Sequence, residues 1–165
     1  MTRVLGIDPG LASTGWGIVD ADGTRYRHVG HGIISTTPDT AIGVRLCTIF
    51  HEIQAIIARY HPVEAGIETL YFARNASSAI PVAQARGVAF LAMSLADVPA
   101  FEYPPQAIKQ SIVGRGRAEK HQVQELVRVL LGLGEAPRPD HSSDALAAAI
   151  CHIAHRPFQE RLDHV

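Results

Sequence analysis

Two short runs, Val4-Leu5-Gly6-Ile7 and Ala65-Gly66-Ile67, are apolar at every position, and each is ended by a carboxylate, Asp8 and Glu68. A strand with one wet face alternates polar and apolar residues, so a run without a polar residue needs cover on both faces. Two such runs call for a sheet with helices packed on each side of it. If the two strands are adjacent and parallel, Asp8 and Glu68 leave the sheet at the same end. That is where open α/β sheets place their ligands.

The remaining pattern agrees. Asp8-Pro9-Gly10 closes the first strand with turn residues. Thr14 to Val19 and about Tyr26 to Ser35 read as two further strands joined near Asp22-Gly23, a hairpin signal. From Ala41 to Tyr60 the period becomes helical, with Ile42, Leu46, Ile49, Ile53, Ile56 and Tyr60 on one stripe, and Pro62 ends it. After the loop Tyr71-Phe72-Ala73-Arg74-Asn75 the spacing predicts a small-residue helix from about Ser78 to Leu95, with Pro81 in its first turn. Within it, Ala79, Ala83, Gly87 and Ala89 leave room for a close helix approach, inside the monomer or between copies. Ala100 to Tyr103 is a short strand, Pro104-Pro105 opens a brief helix, and Glu119 to Leu131 is amphipathic. A last helix is expected from Asp140 to about His155. The order is a three-strand meander, helix, strand, helix, strand, helices: a mixed five-stranded α/β sheet flanked by helices on both faces.

At 165 residues, 47% of them hydrophobic, one domain over 1–157 is expected, with 158–165 a loosely held tail. The chain enters a strand-like run directly at MTRVLGIDPG, so no signal peptide is expected. Its longest apolar stretch, Ala145 to Ala154, is too short to span a bilayer, which points to a soluble, cytoplasmic protein. Cys47 and Cys151 read as free buried thiols of a reducing compartment. The net charge of −1 argues against indiscriminate coating of nucleic acid. Basic residues nevertheless collect in two acid-free stretches, Arg74 with Arg86, then Lys109, Arg115 and Arg117, with Lys120 just beyond. Alone these are a solvated surface; beside a metal-binding acidic site they become phosphate clamps.

A third acid, Asp144, lies among Ala145, Leu146, Ala148 and Ala149. Buried carboxylates need a cation, hydrogen bonds or an exit to water. His141 and Asp144 share a helix face at i, i+3, as do Asp140 and Asp144 at i, i+4. Asp8, Glu68, Asp144 and His141 together suit two Mg²⁺ or Mn²⁺ ions hydrolysing a phosphodiester, Asp8 bridging, Glu68 on one side, His141 with Asp144 on the other. Bland roles compete: Asp8 as a turn former, Asp140 as a helix cap and His141 as a surface histidine. His152 and His155 read as cations welcomed at a helix C-terminus, and His28 and His31 as equally structural.

Leu5-Gly6-Ile7-Asp8-Pro9-Gly10 with Thr14-Gly15, then Ile67-Glu68, Gln84-Ala85-Arg86-Gly87-Val88-Ala89, Phe101-Glu102-Tyr103, Lys109-Gln110, Ala118-Glu119-Lys120 and Ser143-Asp144-Ala145-Leu146-Ala147 closely resemble the RuvC Holliday-junction resolvases. The resemblance runs from about Arg3 to His155. It implies an RNase H-like fold, a homodimer, Mg²⁺-dependent nicking of two opposed strands of a four-way junction, and partnership with RuvA and RuvB. By position Asp8, Glu68 and Asp144 match the family's catalytic acids, and His141 falls where many members carry an aspartate. Tyr71 matches an aromatic at the junction crossover, and Lys109 and Lys120 match lysines near the scissile phosphate. Two adjacent aromatics in a polar loop fit a base-stacking wedge, Tyr71 facing DNA and Phe72 tucked beneath.

Two other readings compete. The Gly6-to-Gly15 turn also resembles the first phosphate motif of the actin and sugar-kinase ATPases, though without a second copy. A catalytically silent junction-binding module is the other.

Overall fold

The computed structural model describes residues 1–69, 76–114 and 116–162, the last six of them and Ala76 and Ser78 by backbone alone. Five strands form one sheet: β1 (Thr2–Asp8), β2 (Ser13–Asp22), β3 (Arg25–Ser35), β4 (Glu64–Glu68) and β5 (Ala100–Tyr103). Five helices complete the described chain: α1 (Ile42–Tyr60), α2 (Ala76–Leu95), α3 (Pro105–Val113), α4 (Lys120–Leu130) and α5 (Asp140–Leu162). The strand order is β3-β2-β1-β4-β5. β1 and β2, like β2 and β3, are antiparallel; β4 joins β1 and β5 in parallel. The two wholly apolar runs are thus neighbours at the centre of the sheet, Ile7 beside Ile67.

Each face of β1 feeds its own core. Leu5 and Ile7 point with Ile18, Ile49, Ile53 and Ile67 into the layer under α1 and α2. Val4 points with Val19, Tyr103, Leu146 and Ile150 into the layer under α3, α4 and α5. Each of these fully covered aliphatic side chains contributes about 1.5–3 kcal/mol relative to exposure.

On the α5 face the strands carry glycine where the helix crosses. A Cβ on Gly6 would run into the Ala145 carbonyl, one on Gly15 into the His141 carbonyl, and one on Gly66 would lie 2.6 Å from the Ala148 carbonyl oxygen. Glycine inside a strand weakens it unless another backbone must come close, and here one does. The helix therefore rests on the sheet backbone itself, which sets the height of every side chain on its first turns.

Four expectations need correction. Cys47 is exposed, because it lies one residue past Leu46 and off the buried stripe; Cys151 is buried as expected, and its thiol is pushed up to about 11 by that burial. α2 begins at Ala76, which puts Pro81 in its second turn. α5 runs to Leu162, well past His155 and into the segment read as a tail. His152 is consequently not at a helix end but in the core. It is 1% exposed, its Nε2–H donates to Glu64 at 2.9 Å, and its Nδ1 accepts from the Tyr103 hydroxyl at 2.8 Å. Burial lowers its pKa despite Glu64, so it is a neutral core imidazole, not a cation.

Candidate metal centre

Asp8 ends β1 and Glu68 ends β4 at the same sheet edge. The turn after Asp8 is fastened by the fully buried Thr14, whose hydroxyl donates to the Gly10 carbonyl at 2.6 Å. α5 enters over Gly15 and Gly6, which brings its first turns down onto Asp8. His141 Nδ1–H donates to Asp8 Oδ2 at 2.7 Å. Ligand atoms of Asp8, His141 and Asp144 all lie within 4.8 Å of one another. Three of the four expected ligands are therefore gathered.

Glu68 stands beside this trio. It lines one cavity with Asp8 and Arg86, and a second, of about 180 Å³, with Asp144, Lys109 and Lys120 above an apolar floor of Pro105, Ile108, Val123 and Ala147. Burial, then the charges of Asp8 and Asp144, raise the Glu68 pKa to about 7 against the pull of both lysines. Burial likewise raises that of Asp8, with Asp144 adding to it and the hydrogen bond from His141 opposing it. Burial and mutual repulsion of this kind are relieved by a cation placed among the acids.

Asp140 is not one of the trio, although it shares Lys120 with Asp144. It opens α5, accepts from Gln124 Nε2 at 3.0 Å, and pairs with Lys120 at 3.3 Å, which with Gln124 lowers its pKa. It is a tie to α4, and His141 rather than Asp140 turns toward Asp8. Lys120 also reaches Asp144 at 3.3 Å. Arg86 pairs with Glu102, lies over the Phe90 ring at 4.8 Å, and has its pKa lowered by burial. Nothing in the sequence singled out Glu102 as that partner; its place beside Ile67 on the parallel strand is what brings it near. Arg117 is exposed near the start of α4. Tyr71, Phe72, Arg74 and Arg115 lie outside the described residues.

A mixed sheet ending in clustered carboxylates, with lysines over the same hollow, suits metal-assisted hydrolysis of a phosphodiester. Comparison with known proteins narrows the class. The family model "Crossover junction endodeoxyribonuclease RuvC" matches residues 4–152. A protein of that name from Treponema denticola is 53% identical over 150 residues, 91% of this chain and 84% of that protein. The solved Thermus thermophilus RuvC in complex with Holliday junction substrate superposes with a TM-score of 0.92 at 33% identity, covering 96% of this chain and 97% of that one. The yeast mitochondrial Holliday junction resolvase Ydc2 shares the fold at 13% identity and a TM-score of 0.69, covering 98% of this chain and 86% of its own. The chain belongs to the RuvC family of crossover junction endodeoxyribonucleases. Membership sets aside the ATPase reading, and the three acids speak against a silent binding module.

Proposed function

We propose that this chain resolves four-way DNA junctions by metal-dependent hydrolysis of one phosphodiester in each of two opposed strands, in recombination and DNA repair. The observation that carries the reading is the gathering of Asp8, His141 and Asp144 at the end of the two central strands, with Glu68 beside them. The donor set fits Mg²⁺ or Mn²⁺: carboxylate oxygens with one imidazole nitrogen, with Asp8 and Glu68 held above the ordinary carboxylate range by burial and by neighbouring acids. Two such ions, held by Asp8, Glu68, His141 and Asp144, would supply Lewis-acid stabilisation of the charge that develops on the phosphate oxygens.

The protein's own groups do the rest. His141 is kept in its orientation by Asp8, and Thr14 keeps Asp8 in place. Lys109 and Lys120, on α3 and α4, would receive the scissile phosphate in the hollow they share. Arg86 and Arg117, with Arg74, Arg115 and Tyr71, extend the DNA path in this reading, Phe72 serving as the support beneath Tyr71.

A substrate with two equivalent strands calls for two sites related by a two-fold axis, hence a homodimer. The outer side of α2 supports this, since Ile80, Leu91 and Leu95 are 57%, 52% and 64% exposed and Gly87 between them is uncovered. Ala79 and Ala89, by contrast, are buried inside the monomer. No described helix is long and apolar enough to cross a membrane. We assign the protein to the cytoplasm, working with RuvA and RuvB.

The test is cleavage of a synthetic four-way junction against linear duplex of the same sequence, with Mg²⁺. Paired nicks placed symmetrically across the junction, with the duplex left whole, are expected. Equal cutting of both substrates would refute junction selectivity.

A further inference from the structure

Lys120 opens α4, on a turn where the positive end of the helix dipole disfavours a cation. It is held there between two carboxylates of α5, its Nζ 3.3 Å from Asp140 Oδ2 and 3.3 Å from Asp144 Oδ2. Asp140 is braced from behind by Gln124 at 3.0 Å. Asp144, one of the three clustered ligand residues, thus already carries a cation supplied by the chain. Burial works against the ammonium charge, but Asp144 and Asp140 outweigh it and raise the Lys120 pKa.

We propose that Lys120 is a tethered counterion occupying the outer cation position at Asp144 in the DNA-free protein, and that a backbone phosphate draws it off. The acid cluster then takes its full metal complement only with DNA in place. This rests on the metal-centre reading above. An ammonium and a divalent ion at hydrogen-bond range of one carboxylate repel each other, so one withdraws before the other settles. Asp140 lies outside the trio and pairs with Lys120, so it anchors the ammonium at the rim of the hollow. A phosphate is the natural competitor for it, being an anionic acceptor that makes charge-assisted hydrogen bonds. Metal loading is in this way coupled to substrate binding, and each ligand raises the affinity for the other.

The test measures Mn²⁺ binding directly, by the electron paramagnetic resonance signal of the free ion, on DNA-free wild type, Lys120→Met, Lys120→Gln, Lys109→Met and Asp144→Asn. The same variants are titrated again in a Glu68→Gln background, with and without the junction, so that the DNA stays whole and the two arms compared lack the same ligand. Lys120 is 56% exposed, so its replacement leaves the core untouched. Without DNA, both Lys120 variants should bind Mn²⁺ about tenfold more tightly than wild type, and Lys109→Met less than about twofold. On the junction, the difference between Lys120 and its replacements should close to within about twofold. Unchanged or weaker Mn²⁺ binding in both Lys120 variants, or a difference that DNA leaves intact, overturns the proposal. If Asp144→Asn loses Mn²⁺ while the Lys120 variants match wild type, only the counterion role fails. If Asp144→Asn also binds like wild type, the metal centre fails with it.

Discussion

At the scale of single residues, the acids were legible because each stood where an apolar strand or helix face should not have wanted it. Asp8 and Glu68 close runs without another polar group, and Asp144 directly precedes the apolar run from Ala145 to Ile150. Glu68 carries a measurable consequence of its crowding. Its pKa of about 7 lies above the ordinary 4.5, so between those values the native chain keeps a proton that the unfolded chain has released. Stability of the metal-free protein therefore falls as pH rises through that window, by about 1 kcal/mol once partial solvent screening is discounted. Melting temperatures in chelator at pH 5 and pH 8 should show this, Glu68→Gln should flatten it, and an identical fall in that variant would contradict the cause. His141 presents nitrogen where a carboxylate would present oxygen. Mn²⁺ accepts nitrogen more readily than Mg²⁺, so wild type should cleave at least as well with Mn²⁺, and His141→Asp should shift the preference toward Mg²⁺. A wild type that favours Mg²⁺ as strongly as His141→Asp does would remove His141 from the ligand set. His152 was misread for want of one fact, that α5 continues to Leu162; what looked like a helix end is the middle of a buried network.

At the scale of elements, hydropathy pattern and the Gly and Pro between segments placed all five strands and the helices between them, since burial on one face leaves a period in the chain and burial on two leaves an unbroken apolar run. What it left out is how close α5 lies to the sheet. The signal was present in Gly6 and Gly66, glycines inside strands that gain nothing from flexibility, but their partner is a backbone far along the chain. Gly6→Ala should destabilise by about 3 kcal/mol and lift α5, reducing cleavage together with Mn²⁺ affinity. Gly43→Ala, in the exposed first turn of α1 with nothing near its Cβ, should instead hold or gain up to about 1 kcal/mol. Chemical denaturation of both variants decides it, and equal stabilities would show that the helix is not seated on the glycines. The ties of Asp140 and Lys120 between α4 and α5 were hidden for the same reason, because no local pattern states which exposed charges will meet.

At the scale of the whole molecule, the sheet carries Asp8 and Glu68 on neighbouring parallel strands, and α5 brings His141 and Asp144 to them from the other end of the chain. The basic residues of α3 and α4 lie over the same hollow, so the groups that grip DNA and those that hold metal are separate side chains. Cleavage and binding should therefore come apart. The measurement is the initial rate of cleavage of one four-way junction with Mg²⁺, alongside its dissociation constant, for wild type and for Asp8→Asn, Glu68→Gln and Asp144→Asn. Each variant should lose roughly a thousandfold or more in rate, about 4 kcal/mol of transition-state stabilisation, while the junction is bound within about tenfold of wild type, the most that the coupling to metal can take away. Wild-type cleavage by any of the three, or loss of junction binding in step with the rate, would contradict the account.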